Sequence, residues 1–327
     1  MSGKRCFVPL AAVLLLFAAA RLSPAFALFL ARKVSRPLTI SISGLSARLP
    51  FPIAGSFAIG CLAAAVLLCL LFRHRSARRV LSWLLCALLT AYILLWDALY
   101  ALPSPTAARL SASSLNALCK RLIEEAEAAL PAFPERDESL LLDRGLAMMR
   151  AQTGSPLSPA KLTRFPGVFS ALGIAGLYFP FTGEALVNGD DLPDTLPFTI
   201  CHELAHQAGF AREEDANYCA FLACEAGGDS LFCYSACFTM LLYAMKALYR
   251  ADCAAWNECV CGMSRELLTR VAGADGLMTA HPSRVQAAQR AVCDVFLRFS
   301  GEADGAASYE RVIGLLAAHW ELTGGMI

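Results

Sequence analysis

The sequence predicts a mainly α-helical protein in two parts: N-terminal transmembrane helices, then an α-helical domain with a short β-hairpin or edge strand. Three observations predict it. The chain is 57 % hydrophobic with a mean hydropathy of +0.52, too apolar for an ordinary soluble domain. Charge is partitioned: residues 1–104 hold 11 Lys/Arg and a single acid, Asp97, whereas residues 105–327 hold 17 Lys/Arg and 26 Asp/Glu. Helical periodicity then dominates the acidic part. A basic apolar half joined to an acidic half reads as a membrane anchor with a water-facing domain, not as a nucleic-acid binder.

The first apolar run, Phe7–Ala20, follows Lys4 and Arg5. Its flanks also suit a signal peptide ending near Pro24-Ala-Phe-Ala27, but further spans follow, which favours a membrane helix over residues 5–23. Residues 24–48 carry four bases among apolar positions and read as an interfacial helix or a loop. Residues 52–72 are uncharged and long enough to cross the bilayer, and residues 80–100 form a third span with Trp83, Trp96 and Tyr100 near its ends. Asp97 is expected to be a wetted interfacial acid. Between these spans, Arg73-His-Arg-Ser-Ala-Arg-Arg79 marks a cytoplasmic loop by the positive-inside rule. A multi-pass protein of the cell membrane follows, with its anchor at 1–104 and its domain, 105–327, on the extracytoplasmic side.

Leu102-Pro-Ser-Pro-Thr106 is a linker. Residues 106–130 and 137–152 show helical spacing, the second opening at Asp137 as N-cap. Gly176–Gly183 and Glu184–Asn188 look like extended segments around a turn. They could form an edge strand that holds an extended peptide by strand addition, or a hairpin that caps the helical core. Pro193-Asp-Thr-Leu-Pro197 introduces another helix, with Asp194 or Thr195 as N-cap and Pro197 in the first turn. The next runs from about Arg212 to Ala226. Residues 229–250 are apolar enough to span a membrane, yet their Ser, Thr and Cys positions fit a buried core helix better. Helices near 252–272, 282–299 and 306–321 complete the domain. None of the fourteen cysteines makes a CxxC pair, which argues against a structural zinc ribbon. Cys201 is expected in the core, and Cys253, Cys259 and Cys261 could include a disulfide.

The chemistry concentrates in Thr199-Ile-Cys-His-Glu-Leu-Ala-His-Gln-Ala-Gly-Phe210. Two of only five histidines, His202 and His206, stand four apart, one turn above the other on a single helix face. Two imidazoles so placed can grip one zinc ion at about 2.0–2.1 Å. Glu203 lies beside the first of them, where a carboxylate can take a proton from a metal-bound water. Ile200, Leu204, Ala205 and Phe210 make the segment apolar enough to be buried, and buried His and Glu need partners. Gly209 can break the helix, so that a second helix starting near Ala211 aims Glu213 at the same metal.

Together with Tyr178-Phe-Pro-Phe-Thr-Gly-Glu-Ala185, Arg212-Glu-Glu-Asp-Ala-Asn217 and Ala307-Ser-Tyr-Glu-Arg-Val-Ile-Gly-Leu-Leu316, this stretch resembles a bacterial membrane-protein family catalogued as domain of unknown function 3810 and regarded as zincin-like. The likeness covers most of the chain, including the N-terminal spans. Glu213 to Asn217 also resembles the Glu-x-x-Ala-Asp run of membrane zincins of the CAAX-protease type. That similarity implies Glu213 as third ligand and Asn217, one turn on, as the residue that orients it, with Glu214 as the alternative ligand. Where the family pattern has Glu-Asp-Glu-Ala-Asn, this chain has Glu213-Glu214-Asp215-Ala216-Asn217, which makes Asp215 a poor ligand candidate.

The expected cofactor is therefore Zn2+ on His202, His206 and Glu213, with Glu203 as general base, and the expected reaction is peptide-bond hydrolysis. Tyr178, Tyr218 and His281 are unranked candidates for an oxyanion donor. The expected partners are membrane lipid and a peptide or protein substrate. Two other functions fit the same residues: a zinc-binding membrane sensor or inactive zincin relative, and a structural helical membrane protein with an incidental His pair.

Overall fold

A computed structural model describes residues 7–71, 74–131, 137–279, 284–300 and 311–322. Helix α1 (Phe7–Leu22) stops where Ser23 caps a new helix, its hydroxyl accepting from the Phe26 N–H at 3.3 Å with Pro24 in the first turn. That helix, α2 (Pro24–Leu30), continues through a π-helical turn (Ala31–Ser35) into α3 (Arg36–Ser46). The chain bends by 112° between α1 and this second rod. Residues 24–48 are thus helical almost throughout. Next come α4 (Ala54–Leu70) and α5 (Arg75–Leu95), the latter running on into a 3-10 turn (Asp97–Ala101). Asp97 is not wetted as expected: it is 5 % exposed and bound to Arg21 at 2.5 Å. A lone carboxylate there would be costly to bury, and the α1 arginine supplies the partner.

The domain opens with α6 (Ala112–Ala128) and α7 (Glu138–Thr153). Asp137 caps α7 as predicted, accepting from the Leu140 N–H at 3.1 Å. A small sheet follows, of β1 (Lys161–Leu162), β2 (Gly176–Phe179) and β3 (Glu184–Val187), with α8 (Pro166–Leu172) between the first two. Its order is β1-β3-β2. The expected hairpin is antiparallel, with Tyr178 opposite Ala185, and β1 joins β3 in parallel. Then come α9 (Leu196–Gln207), α10 (Glu213–Ala226), α11 (Ser230–Ala251), α12 (Cys253–Gly262), α13 (Arg265–Thr279), α14 (Arg284–Ser300) and α15 (Arg311–Leu322). The helix expected at 252–272 is two helices, because Met263 is extended between them. Thr195, not Asp194, is the N-cap residue of α9. The Asp194 carboxylate instead accepts from the Tyr234 hydroxyl at 2.7 Å and from Arg270 at 3.1 Å.

Among the described residues, two helical segments are each long and apolar enough to cross a membrane, Ser76–Ala101 and Ser230–Ala251. They differ in what covers them. Of the most apolar window, 28 % is buried in the first and 67 % in the second. Helix α11 packs Phe232, Phe238, Met240, Leu241, Ala244 and Leu248 into a core shared with α6, α9 and α10, and Asp229 caps its start. Burial of each of these Phe, Met and Leu side chains stabilises the fold by about 1.5–3 kcal/mol, which accounts for its apolar sequence without a bilayer. The described part of α1, 16 residues, and α4, 17 residues, rise about 24 and 26 Å, against the roughly 30 Å of a hydrocarbon core.

The two halves interlock. Glu184 of β3 accepts from the Ile53 and Ala54 N–H groups at the start of α4, from the Thr182 hydroxyl and from Lys161 at 2.8 Å. A membrane-half helix is thereby capped by a carboxylate from the domain. Arg36 of α3 donates to the Ala208 carbonyl just past α9. Arg212 donates to the Tyr100 and Leu102 carbonyls, and Ser104 donates to Asp215. These contacts set α9 and α10 against the end of α5.

Candidate functional site

Eleven of the twelve residues of α9 are buried, so the helix is held on nearly every side. Its turn at the end follows from Gly209, whose φ of 102° an L side chain rarely adopts. There the Phe210 N–H bonds back to the Ala205 carbonyl at 3.1 Å and the Gly209 N–H to the His206 carbonyl at 3.0 Å. The reversal brings Glu213, first residue of α10, over the two histidines. His202 Nε2 is 3.3 Å from Glu213 Oε2, and His206 Nε2 is 3.6 Å from Glu213 Oε1. One donor atom from each of the three lies within 4.8 Å of the others, an arrangement that could hold a metal ion. The imidazole centroids are 4.6 Å apart with the rings nearly perpendicular.

His206 is oriented from behind. Its Nδ1 sits 2.7 Å from the Phe210 carbonyl, which can only accept, so Nδ1 carries the proton and Nε2 faces Glu213. The Trp96 ring covers the same imidazole at 5.5 Å, edge to face. Burial disfavours a charge on His206, yet Glu213, Glu203 and the Phe210 carbonyl outweigh it and raise its pKa to about 9. Burial likewise opposes charge on Glu213, but His206 and His202 hold its carboxyl well below the usual range. Its place at an α10 N-terminus adds to that preference.

Glu203 is 5 % exposed. Burial raises its pKa, the two histidines pull it back, and Glu213 pushes it up again. The Tyr178 main-chain N–H of β2 also favours its charged form. The strand comes so close that a Cβ on Gly176 would lie 2.5 Å from Glu203 Oε1, so only glycine fits there without a shift. Glu203 Oε2, His202 Nδ1 and Asn217 Nδ2 are buried with no hydrogen-bond partner among the described residues. Buried polar atoms are usually hydrogen-bonded, so three such atoms around one cluster call for partners beyond the described side chains.

The structure thus brings together His202, His206, Glu203 and Glu213, with Asn217 buried one turn along α10. Glu214, the alternative ligand, turns away and pairs with Arg311 of α15. Asp215 is taken by Ser104. Of the oxyanion candidates, Tyr178 packs against Trp96 and Tyr218 against His319 on another side of α10, while His281 lies outside the described residues. Tyr243 of α11, which no sequence signal singled out, is near enough to Glu213 to sense its charge. Trp96 was legible only as an interfacial anchor. Cys201 is fully buried, as expected, and Cys253, Cys259 and Cys261 are free thiols.

A family model described as "Protein of unknown function (DUF3810)" matches residues 31–317. No curated protein and no solved structure matches the chain.

Proposed function

The chain belongs to this family, whose description assigns no chemistry, and from its own side chains we propose that it is a membrane-anchored zinc metallopeptidase. The observation that carries this reading is the convergence of His202, His206 and Glu213 within 4.8 Å, with the Glu203 carboxyl buried beside them. The donor set suits zinc: two imidazoles and one carboxylate leave a coordination position open, and the Phe210 carbonyl fixes the His206 tautomer. When bound, the ion would act as a Lewis acid and lower the pKa of a water molecule towards 7.

The remaining work falls to the protein. Among the described residues Glu203 Oε2 has no hydrogen-bond partner, which suits it to accept a proton. Its raised pKa suits it to hold that proton and return it to a leaving amine. An extended peptide has a place to lie. The Asn188 N–H bonds to the Ala175 carbonyl at 2.7 Å, so by the alternation of an antiparallel pair the main-chain groups of Gly176 and Tyr178 point away from β3. The Tyr178 N–H already meets Glu203 on that edge, and the neighbouring Gly176 N–H and both carbonyls suit strand addition. We place the domain on the extracytoplasmic side, following the arginines at 73–79.

The test is metal content and peptide cleavage by the full chain in detergent. Wild type should carry about one zinc and cleave a peptide library, Glu203→Gln should keep the zinc and lose cleavage by about a hundredfold or more, and His202→Ala/His206→Ala should lose both. Zinc retained without cleavage by the wild type would leave a binding role only. No zinc in any sample, even after zinc is supplied, would overturn the assignment.

A further inference from the structure

Between α1, α3 and α5 runs an open groove of about 1020 Å³. Trp83, Ala87, Ala91 and Leu94 of α5 form its floor, and Leu38 and Ile42 of α3 form one wall. Among the described residues no charged side chain lines it, and the Thr90 hydroxyl on its surface is already spent on the Cys86 carbonyl at 2.8 Å. An occupant therefore meets only apolar surface and must itself be apolar over this length. From Trp83 to Leu94 the helix rises about 16 Å, close to one leaflet of a hydrocarbon core about 30 Å thick. That is the shape of an acyl chain's path.

At one end of the groove its lining residue Leu94 packs in one cluster with Val34, in a turn that carries two cations. Arg32 and Lys33, in the π-helical turn that feeds α3, are exposed, and neither forms an ion pair among the described residues. Asp97 is the only acid in the first 104 residues, and it is bound to Arg21. The two cations stand five and six residues before Leu38, about 8–9 Å along the rod, within reach of a headgroup whose chain lies in the groove. We propose that this groove binds an anionic phospholipid, with its acyl chain between α3 and α5 and its phosphate at Arg32 and Lys33. The site stands apart from the metallopeptidase reading and does not depend on it.

Native mass spectrometry of the full chain in detergent, titrated with dioleoyl phosphatidylglycerol or dioleoyl phosphatidylcholine, tests this. The anionic lipid should bind at least tenfold more tightly than the zwitterionic one. Arg32→Gln/Lys33→Gln should cost about 30-fold for phosphatidylglycerol alone, at about fivefold per cation. Ala87→Phe/Ala91→Phe, which fills the groove, should abolish retention of both lipids, and Arg79→Gln, near the other end of α5, should change neither. Equal retention of the two lipids, or no effect of Arg32→Gln/Lys33→Gln, would overturn the proposal, as would undiminished binding by the filled groove. The double glutamine variant changes only exposed side chains, so it decides the matter even if the filled groove fails to fold.

Discussion

At the scale of single residues, His206 controls how the site responds to pH. Its pKa in the metal-free fold, about 9, lies above the 6.5 of a free imidazole. The stability it contributes to the zinc-stripped protein is therefore fully present below about pH 6.5 and is lost as pH rises through about 9. If zinc binds as proposed it must displace the same proton, so apparent zinc affinity should climb about tenfold per pH unit between 6.5 and 9 and then level off. Competition with a chelator across that range reads it, and a flat profile would show that His206 does not give up a proton to the metal. Gly176 makes a second prediction. Gly176→Ala places a Cβ 2.5 Å from Glu203 Oε1, so the carboxylate must shift. Such overpacking costs about 1–3 kcal/mol, and cleavage should fall while zinc content stays at the wild-type level.

At the scale of elements, the start of α4 rests on Glu184, whose side chain is 1 % exposed and whose partner Lys161 is 12 % exposed. Glu184→Ala leaves two helix N–H groups without their acceptor and the Lys161 ammonium with only the Ser46 and Phe51 carbonyls, and should destabilise the protein by about 1–3 kcal/mol. Thermal unfolding in detergent measures it against Glu258→Ala, an exposed half of a loose pair with Lys120, which should change stability by less than about 0.5 kcal/mol. The same element shows where sequence reasoning stops. Helices were legible because apolar spacing and caps are local, as with Asp137 before α7 and the paired glycines after α10. The hairpin was legible from its turn. Strand β1 is two residues long and takes its partner from 25 residues away, so no local pattern marks it. The break between α12 and α13 interrupts an otherwise helical run and carries no Pro.

At the scale of the whole molecule, the convergence of His202, His206 and Glu213 was legible because the three fall within twelve positions of the chain, on two helices joined by one glycine turn. What surrounds the set was not, because it arrives from the other half. Trp96 covers His206 from 110 residues away, Arg36 holds the carbonyl of Ala208, and the carbonyls of Tyr100 and Leu102 hold Arg212, the residue before Glu213. The N-terminal half is thus a wall of the candidate site. A fragment of residues 105–327 loses that ring, that guanidinium and both carbonyls, and with them the α4 N–H groups that Glu184 satisfies. Each buried group left unpaired costs about 1–3 kcal/mol, enough to loosen α9 against α10. The fragment should bind zinc at least tenfold more weakly than the full chain and unfold at a lower temperature, and Trp96→Ala in the full chain should reproduce part of the affinity loss. Chelator competition and thermal unfolding on the three proteins check it. Equal affinity in all three would mean that α9 and α10 hold their geometry alone, and that the membrane half serves for anchorage.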